Sequence, residues 1–351
     1  MATPGAPESA IDTELGESYY KNDEALEQKL MSEIVAVVVG YVERRFREGR
    51  RPALRNAHAM DTGCVKAIFR VNKNLPPELR QGIFSKVQDY DAWIRFSHAN
   101  PEITTPRWPG GRGMAIKLIG IEGPKLLDET DSQDFIMINQ PRFFINDPQH
   151  YLKALAVFHS GGFFKQLWSL TTMNWSERLL ATKTNFSWIA SPLFAQYWST
   201  TSYRLGLSGG PKTAIKFTVK PRLGNKLSFF GKWSTILTPG FKLKKELAKT
   251  LSAGDASFDF YIQRFRSLES TPVEDSTIEW SDDVAPLEPV AQIIIPRQEV
   301  ISDERDQFCE KLSFNPWHSL AEHKPLGVTN RVRRQVYLES KKCRYRLNKT
   351  T

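Results

Sequence analysis

The chain is poor in cysteine and has neither a long apolar run nor an excess of acid. Its three cysteines, Cys64, Cys309 and Cys343, stand far apart in 351 residues. A scattered, odd-numbered set offers no disulfide framework and suits a reducing compartment. No Cys-x-x-Cys or His-Glu-x-x-His spacing occurs, which argues against a zinc site. The longest candidate apolar run, Ile34 to Val39, falls far short of the roughly 20 residues that a bilayer span needs. The first residues lack both a basic start and an apolar stretch, so no secretory leader is expected. The last, Asn348 to Thr351, form no peroxisomal address. These absences point to a cytoplasmic protein. No internal repeat is visible.

What is present is ordinary in amount and uneven in placement. A 40% hydrophobic fraction with 25% charged residues is that of a globular protein able to bury a substantial core. The net charge of +9 is concentrated: Ala321–Thr351 holds nine Lys or Arg against two Glu, and Pro211–Thr250 ten against one. No helix-turn-helix, zinc-finger or RNP pattern accompanies that charge, so nucleic acid is not the expected partner. A solvated face, with a few arginines turned inward to meet an anionic ligand, accounts for it better.

Residues 1 to about 20, rich in Pro, Gly, Ser and acid, read as a disordered or loosely attached arm, with one domain over 21–351. Leu26, Leu30, Ile34, Val37 and Tyr41 then recur at helical spacing, with acids at the start of the segment and Arg44, Arg45 and Arg47 at its end. Beyond Pro52 the texture changes to short β-type runs: 66–71, 92–97, 114–120, 134–139, 213–220, 256–265 and 289–296, separated by turn residues. So many short strands favour an α+β fold built on an antiparallel barrel. Between the strand groups, from Pro148 to Trp198, lies a helical, aromatic-rich insertion holding Phe158, Phe163, Phe164, Trp168, Trp175, Trp188, Phe194, Tyr197 and Trp198. Most of these aromatics are expected to pack helices onto the barrel, and some to wall an apolar pocket.

Near the C-terminus, Arg333 and Tyr337 have i, i+4 spacing, which puts a guanidinium and a phenol on one helix face. A permanent cation there favours the phenolate. Taken alone such a pair is usually a solvated face, and a lone histidine such as His58 is usually structural. Their company changes the weighting. Arg55-x-x-His58-Ala59, Leu75-Pro76-x-x-Leu79-Arg80, Ala92-Trp93-Ile94-Arg95-Phe96-Ser97, Arg112-Gly113-Met114-Ala115, Gln133-Asp134-Phe135-x-Met137-Ile138-Asn139-x-Pro141-x-Phe143-Phe144, Tyr197-Trp198-Ser199, Tyr203-Arg204-Leu205-Gly206 and Phe314-Asn315-Pro316-Trp317 follow one another in order. The sequence resembles the catalase family in these blocks, from about residue 50 to 347.

The resemblance implies haem b, with iron held by Tyr337 as tyrosinate and Arg333 keeping it ionised. It implies His58, Asn139 and Ser97 as catalytic residues. An imidazole can take a proton from one peroxide oxygen and return it to the other. An amide orients the peroxide without competing for protons. The Ser97 hydroxyl fixes the imidazole tautomer. Arg55, Arg95 and Phe144 are carried over as cofactor contacts, with Arg344 or Arg346 as a further arginine for the haem propionates. The expected substrate is a small peroxide, in a catalase or peroxidase reaction on hydrogen peroxide. The alternative is an isomerase, peroxygenase or oxidase acting on an organic or lipid hydroperoxide or a secondary metabolite. A haem protein without turnover, or a basic interaction protein, remains a third class, and the resemblance leaves room for a homo-oligomer. Ala57 is apolar as in catalases, where the allene oxide synthase relatives carry Thr. Two departures from the pattern stand out: the segment Ser97–Asn100 with Trp108–Gly111 differs from the usual loop, and the chain ends fourteen residues after Tyr337, which predicts no C-terminal helical domain.

Overall fold

The computed structural model describes residues 11–99, 110–127, 131–159, 175–179, 189, 191–222 and 241–349. Helix α1, Glu24–Arg47, starts where the Asp23 carboxylate accepts from the Leu26 amide at 2.9 Å, a standard N-cap. Its buried stripe is Leu30, Ile34, Val38, Tyr41 and Val42, with Val37 partly buried beside it. Nine strands follow: β1 Asp61–Val71, β2 Asp89–His98, β3 Arg112–Leu118, β4 Gln133–Ile138, β5 Tyr197–Trp198, β6 Tyr203–Leu205, β7 Thr213–Pro221, β8 Ala256–Arg264 and β9 Glu288–Ile295. They pair antiparallel in the order β5-β4-β3-β2-β1-β9-β8-β7-β6. Pairing of Tyr197 with Val219 and of Trp198 with Thr218 joins β5 to β7 and closes an eight-stranded barrel, with β6 as an extra strand.

Strand alternation builds the interior. Val65, Ala67, Phe69 and Val71 of β1, Ile94 and Phe96 of β2, and Met114, Ile116 and Leu118 of β3 share one buried cluster. Its aromatic centre is Phe69, Phe84, Phe135, Phe217 and Phe260, with Phe135 and Phe217 edge to face at 4.9 Å between centroids. The seven runs read as strands from sequence are strands here. The short β5 and β6 carry too few residues to show an alternation.

Further helices among the described residues include α2 Pro148–His159, α3 Phe241–Ala253, α4 Asp303–Lys311 and α5 Val328–Lys349. No described helix is long and apolar enough to cross a membrane. Helix α5 lies on α1 and α2 through Val328, Val332 and Val336, at i, i+4, i+8, packed against Met31, Ile34, Val38 and Leu155. The turn that feeds α5 is fixed at two points. The Asp134 carboxylate of β4 accepts from the Asn315 amide at 2.9 Å and pairs with His318 Nδ1 at 2.8 Å, while Lys117 Nζ supplies its counter-charge at 2.6 Å. Trp317 Nε1 donates to the Asn330 carbonyl at 2.7 Å.

Two expectations change. Residues 11–20 are not a loose arm: Leu15 is buried beside Ala214, Val273 and Trp280, Asp12 accepts from Lys212 at 2.8 Å, and Glu17 pairs with Arg331 at 2.9 Å. The polar composition that suggests disorder here serves buried ion pairs instead. Residues 1–10 lie outside the described residues. The aromatic insertion begins as helix α2, but Tyr197 and Trp198 belong to the barrel seam and Trp175 is exposed. Phe163, Phe164, Trp168, Trp188 and the Phe158 side chain lie outside the described residues.

Arg331 is buried and held by three carboxylates: Glu27 of α1 at 2.7 Å, Glu17 at 2.9 Å and Glu274 at 3.0 Å. Replacing Arg331 with Ala strands these buried acids, for which a loss of about 3–5 kcal/mol is expected. Urea unfolding of the two proteins measures it, and a change under about 1 kcal/mol contradicts the clamp.

Candidate active site

His58 lies just upstream of β1, and its backbone is in the left-handed region at φ +54. Such a conformation costs a non-glycine residue about 1–3 kcal/mol and persists only where its surroundings enforce it. Its amide donates to the Ala99 carbonyl at 3.4 Å, and its Nδ1 meets Ser97 Oγ at 2.9 Å. The next strand makes room for this pair. A Cβ on Gly113 would stand 2.6 Å from Ser97 Oγ and 2.7 Å from His58 Nδ1, so glycine is what lets the imidazole lie against the sheet. Ser97, Gly113 and Ile138 form one rung of the sheet.

Asn139 sits one rung further. Its amide donates to the Arg112 carbonyl at 3.0 Å, and its Oδ1 accepts from the Arg112 amide at 2.6 Å. Three expected catalytic residues, His58, Ser97 and Asn139, thus meet at one end of strands β2, β3 and β4.

Four arginines set the electrostatics. Burial holds the His58 imidazole far below its usual range, at about 3, and Arg95, Arg333, Arg112 and Arg55 all push the same way. Arg55 donates to Glu310 at 2.8 Å and to the Leu312 carbonyl at 2.7 Å, and burial followed by the charge of Arg95 lowers it to about 10. Arg344 is buried and donates to the same Glu310 carboxylate at 3.0 Å, whereas Arg346 is exposed and pairs with Glu43. Of the two arginines that the sequence left open, Arg344 is the one inside. Arg95 is buried, gives only a long 3.4 Å contact to the Ala59 carbonyl, and has an Nε with no partner.

Helix α5 lines the other side of this segment. Asn56 Oδ1 meets Ser340 at 3.4 Å and Asn348 accepts from the Ala53 amide at 2.7 Å, so the residues leading to His58 run along α5. Tyr337 is half-buried one turn before Ser340, with no hydrogen bond among the described residues. Its neighbour Tyr151 is partly buried, and desolvation pushes that phenol up to about 12, with Tyr337 adding to the rise. Arg333 does not hydrogen-bond to Tyr337. It reaches Thr201 at 3.2 Å and stacks over Phe143 at 5.3 Å. Phe144 is tilted against Phe143 at 4.8 Å and packs on the Ile145 and Ala154 side.

Sequence reasoning missed Gly113, Arg112 and Glu310 as site residues. Gly113 and Arg112 stood inside a recognised block and could have been found by asking why a strand opens on Arg-Gly. Glu310 had no sequence signal, because its helix α4 carries mostly charged residues and offers no apolar periodicity.

The solved structures place this architecture. The chain superposes on a fungal catalase with TM-score 0.65 and 18% identity over 87% of its length, and on catalase A from Saccharomyces cerevisiae with TM-score 0.65 and 18% identity over 88%. It has a catalase-like fold. A bacterial catalase matches with TM-score 0.63 and 14% identity over 87% of this chain. The chain spans 62%, 64% and 59% of those three catalases, respectively. No protein-family model matches it, and no curated protein matches it by sequence.

The buried histidines make the fold acid-sensitive. Burial holds His323 at about 3 and His159 at about 4, as it does His58 at about 3. Between these values and the ordinary 6.5 the unfolded chain binds more protons than the folded one, so stability falls as pH drops below 6.5. Each histidine contributes about 1–2 kcal/mol of loss at pH 5. Denaturant midpoints at pH 7.5 and 5.0 test this. His323→Gln, which keeps an acceptor for the Ile83 amide, is expected to reduce the pH slope.

Proposed function

We propose that the protein is a haem enzyme acting on a peroxide. The observation that carries this reading is His58, held by Ser97 against Gly113 one rung from Asn139, with Asn56 just upstream meeting Ser340 of the helix that carries Tyr337. The residues fit a haem: among the described residues Tyr337 is a phenol with no competing hydrogen bond, and Arg95 has a buried guanidinium nitrogen with no partner. Tyr337 would bind the iron. Arg95 and Arg344, with Arg55, would meet the two propionates, and Phe144 would belong to the apolar wall. When bound, ferric haem supplies the redox centre for cleaving an O–O bond.

The chain's own residues handle protons and orientation. With Nδ1 engaged by Ser97, the His58 Nε2 is the nitrogen that takes a proton from one oxygen of the substrate and returns it to the other. The arginine field makes His58 a weak base, and two propionate charges among those arginines would raise its basicity. Loading the cofactor and tuning the base are thus coupled. Asn139, fixed through Arg112, orients the bound peroxide with its amide.

The test is oxygen release from hydrogen peroxide by haem-loaded protein, with an organic hydroperoxide run in parallel. His58→Ala is expected to lower peroxide turnover by about 100-fold or more. If peroxide is not consumed although haem is bound, the peroxide reading fails. Gly113→Ala is expected to displace His58 and lower turnover while leaving thermal unfolding within a few degrees of wild type. Full activity in that variant would show that the imidazole does not need the sheet's close approach.

A further inference from the structure

Cys64 and Cys309 are far apart in the chain and adjacent in the fold. In β1 the residues Val65, Ala67 and Phe69 face the barrel interior, so Cys64 points outward. Helix α4 lies over it. Arg305 of α4 reaches the Cys64 carbonyl at 3.4 Å, and Phe308 packs its ring on Trp93 of β2 at 4.5 Å. Cys309 is the residue that this helix buries. Its Sγ stands 3.9 Å from Asp61 Oδ1, and the Cys64 thiol is within hydrogen-bonding reach of it as well. Both cysteines are free and 1% exposed.

The hydrogen bond with Cys64, burial and the Asp61 charge all push the Cys309 thiol above its ordinary range, with Arg95 opposing them. A thiol held in this way is inert while α4 is seated. The seat itself is mostly polar. Helix α4 has no aliphatic residue and leaves Phe308 exposed. Lys244 ties it to the strand by meeting Asp306 at 2.5 Å and Asp61 at 3.3 Å, and Glu310 ties it to Arg55 and Arg344. An element with so few buried apolar contacts opens locally at low free energy. Opening releases Cys309 from Asp61 and leaves Cys64 with Arg95 directly opposite it in the sheet.

We propose that Cys64 and Cys309 are a peroxide-responsive pair whose disulfide fastens α4 to β1. With α4 lifted, the Cys309 thiolate attacks the terminal oxygen of a hydroperoxide. The O–O bond breaks, the alcohol leaves with the thiol's proton, and Cys309 becomes a sulfenic acid. When α4 reseats, Cys64 attacks that sulfur, the S–O bond breaks, and water leaves with the Cys64 proton. The two thiols lose two electrons and one hydroperoxide gains them. The new bond holds Glu310 over Arg55 and Arg344. The pair responds to a hydroperoxide whether or not the haem site turns it over.

The test treats the full chain with excess tert-butyl hydroperoxide, alkylates the remaining thiols with N-ethylmaleimide in denaturant, and maps the peptides by mass. A disulfide between Cys64 and Cys309 is expected, with Cys343 alkylated. Dithiothreitol is expected to reverse it, and the oxidised protein to melt several degrees higher than the reduced one. In Cys64→Ser, dimedone is expected to trap the sulfenic acid on Cys309. Lys244→Met, which unties α4 from the strand, is expected to speed disulfide formation several-fold. Three alkylated cysteines after treatment overturn the proposal, as does a disulfide through Cys343 or an over-oxidised Cys309 beside a free Cys64. An unchanged rate in Lys244→Met overturns the opening of α4 as the route.

Discussion

The buried ion cluster around Arg331 is the constraint on which the arrangement rests. One guanidinium at the start of α5 collects Glu17 from the N-terminal segment, Glu27 from α1 and Glu274 from the loop after β8. Desolvating three acids and a cation is justified only when each has several hydrogen bonds, and here they do. Glu17 also accepts from the Gly327 and Asp12 amides, and Glu274 from those of Val328 and Ser18. Burial still raises the Glu274 carboxyl above its usual range. What the cluster gives is direction. It fixes the first turn of α5, and with Val328, Val332 and Val336 on the α1 side, the position of Tyr337 around the helix axis follows.

The excess positive charge of the chain is partly internal. Arg55, Arg95, Arg112, Arg331 and Arg344 are all buried or nearly so, and of these only Arg331 is fully matched by acids. From the sequence the basic bias was expected on a solvated face, with a few unspecified arginines turned inward. The fold divides it: Arg346 and Lys342 form exposed pairs, while Arg344, two residues from each, faces inward. An interior with more guanidinium than carboxylate is poised for anions, and it keeps the imidazole at its centre neutral.

How legible this was depended on periodicity. The barrel strands could be read because a one-sided core imposes strict alternation, as in Val65, Ala67 and Phe69. The pair β5 and β6 could not, since two or three residues have no period. Helix α4 failed for the opposite reason, being polar all round with Cys309 as its buried residue. At the site, the blocks located the strand ends beside which His58 and Asn139 lie, and the expected contact of Ser97 with the His58 imidazole is present. The expected Arg333 contact with Tyr337 was not found, because i, i+4 spacing sets a shared face but not where a long side chain goes. Thr201 and Phe143 drew it instead. Arg112 was hidden because a missing counter-charge leaves no mark in a sequence.

The clamp at Arg331 joins residues 314 positions apart in Glu17. During synthesis the N-terminal acids emerge early, and the barrel strands follow without their cap. Glu17 and Glu27 remain solvated until α5 has cleared the ribosome, so the order of emergence forces the site to assemble last. A nascent chain arrested before residue 328 lacks both Arg331 and Tyr337, and the faces of α1 and α2 that α5 covers stay open.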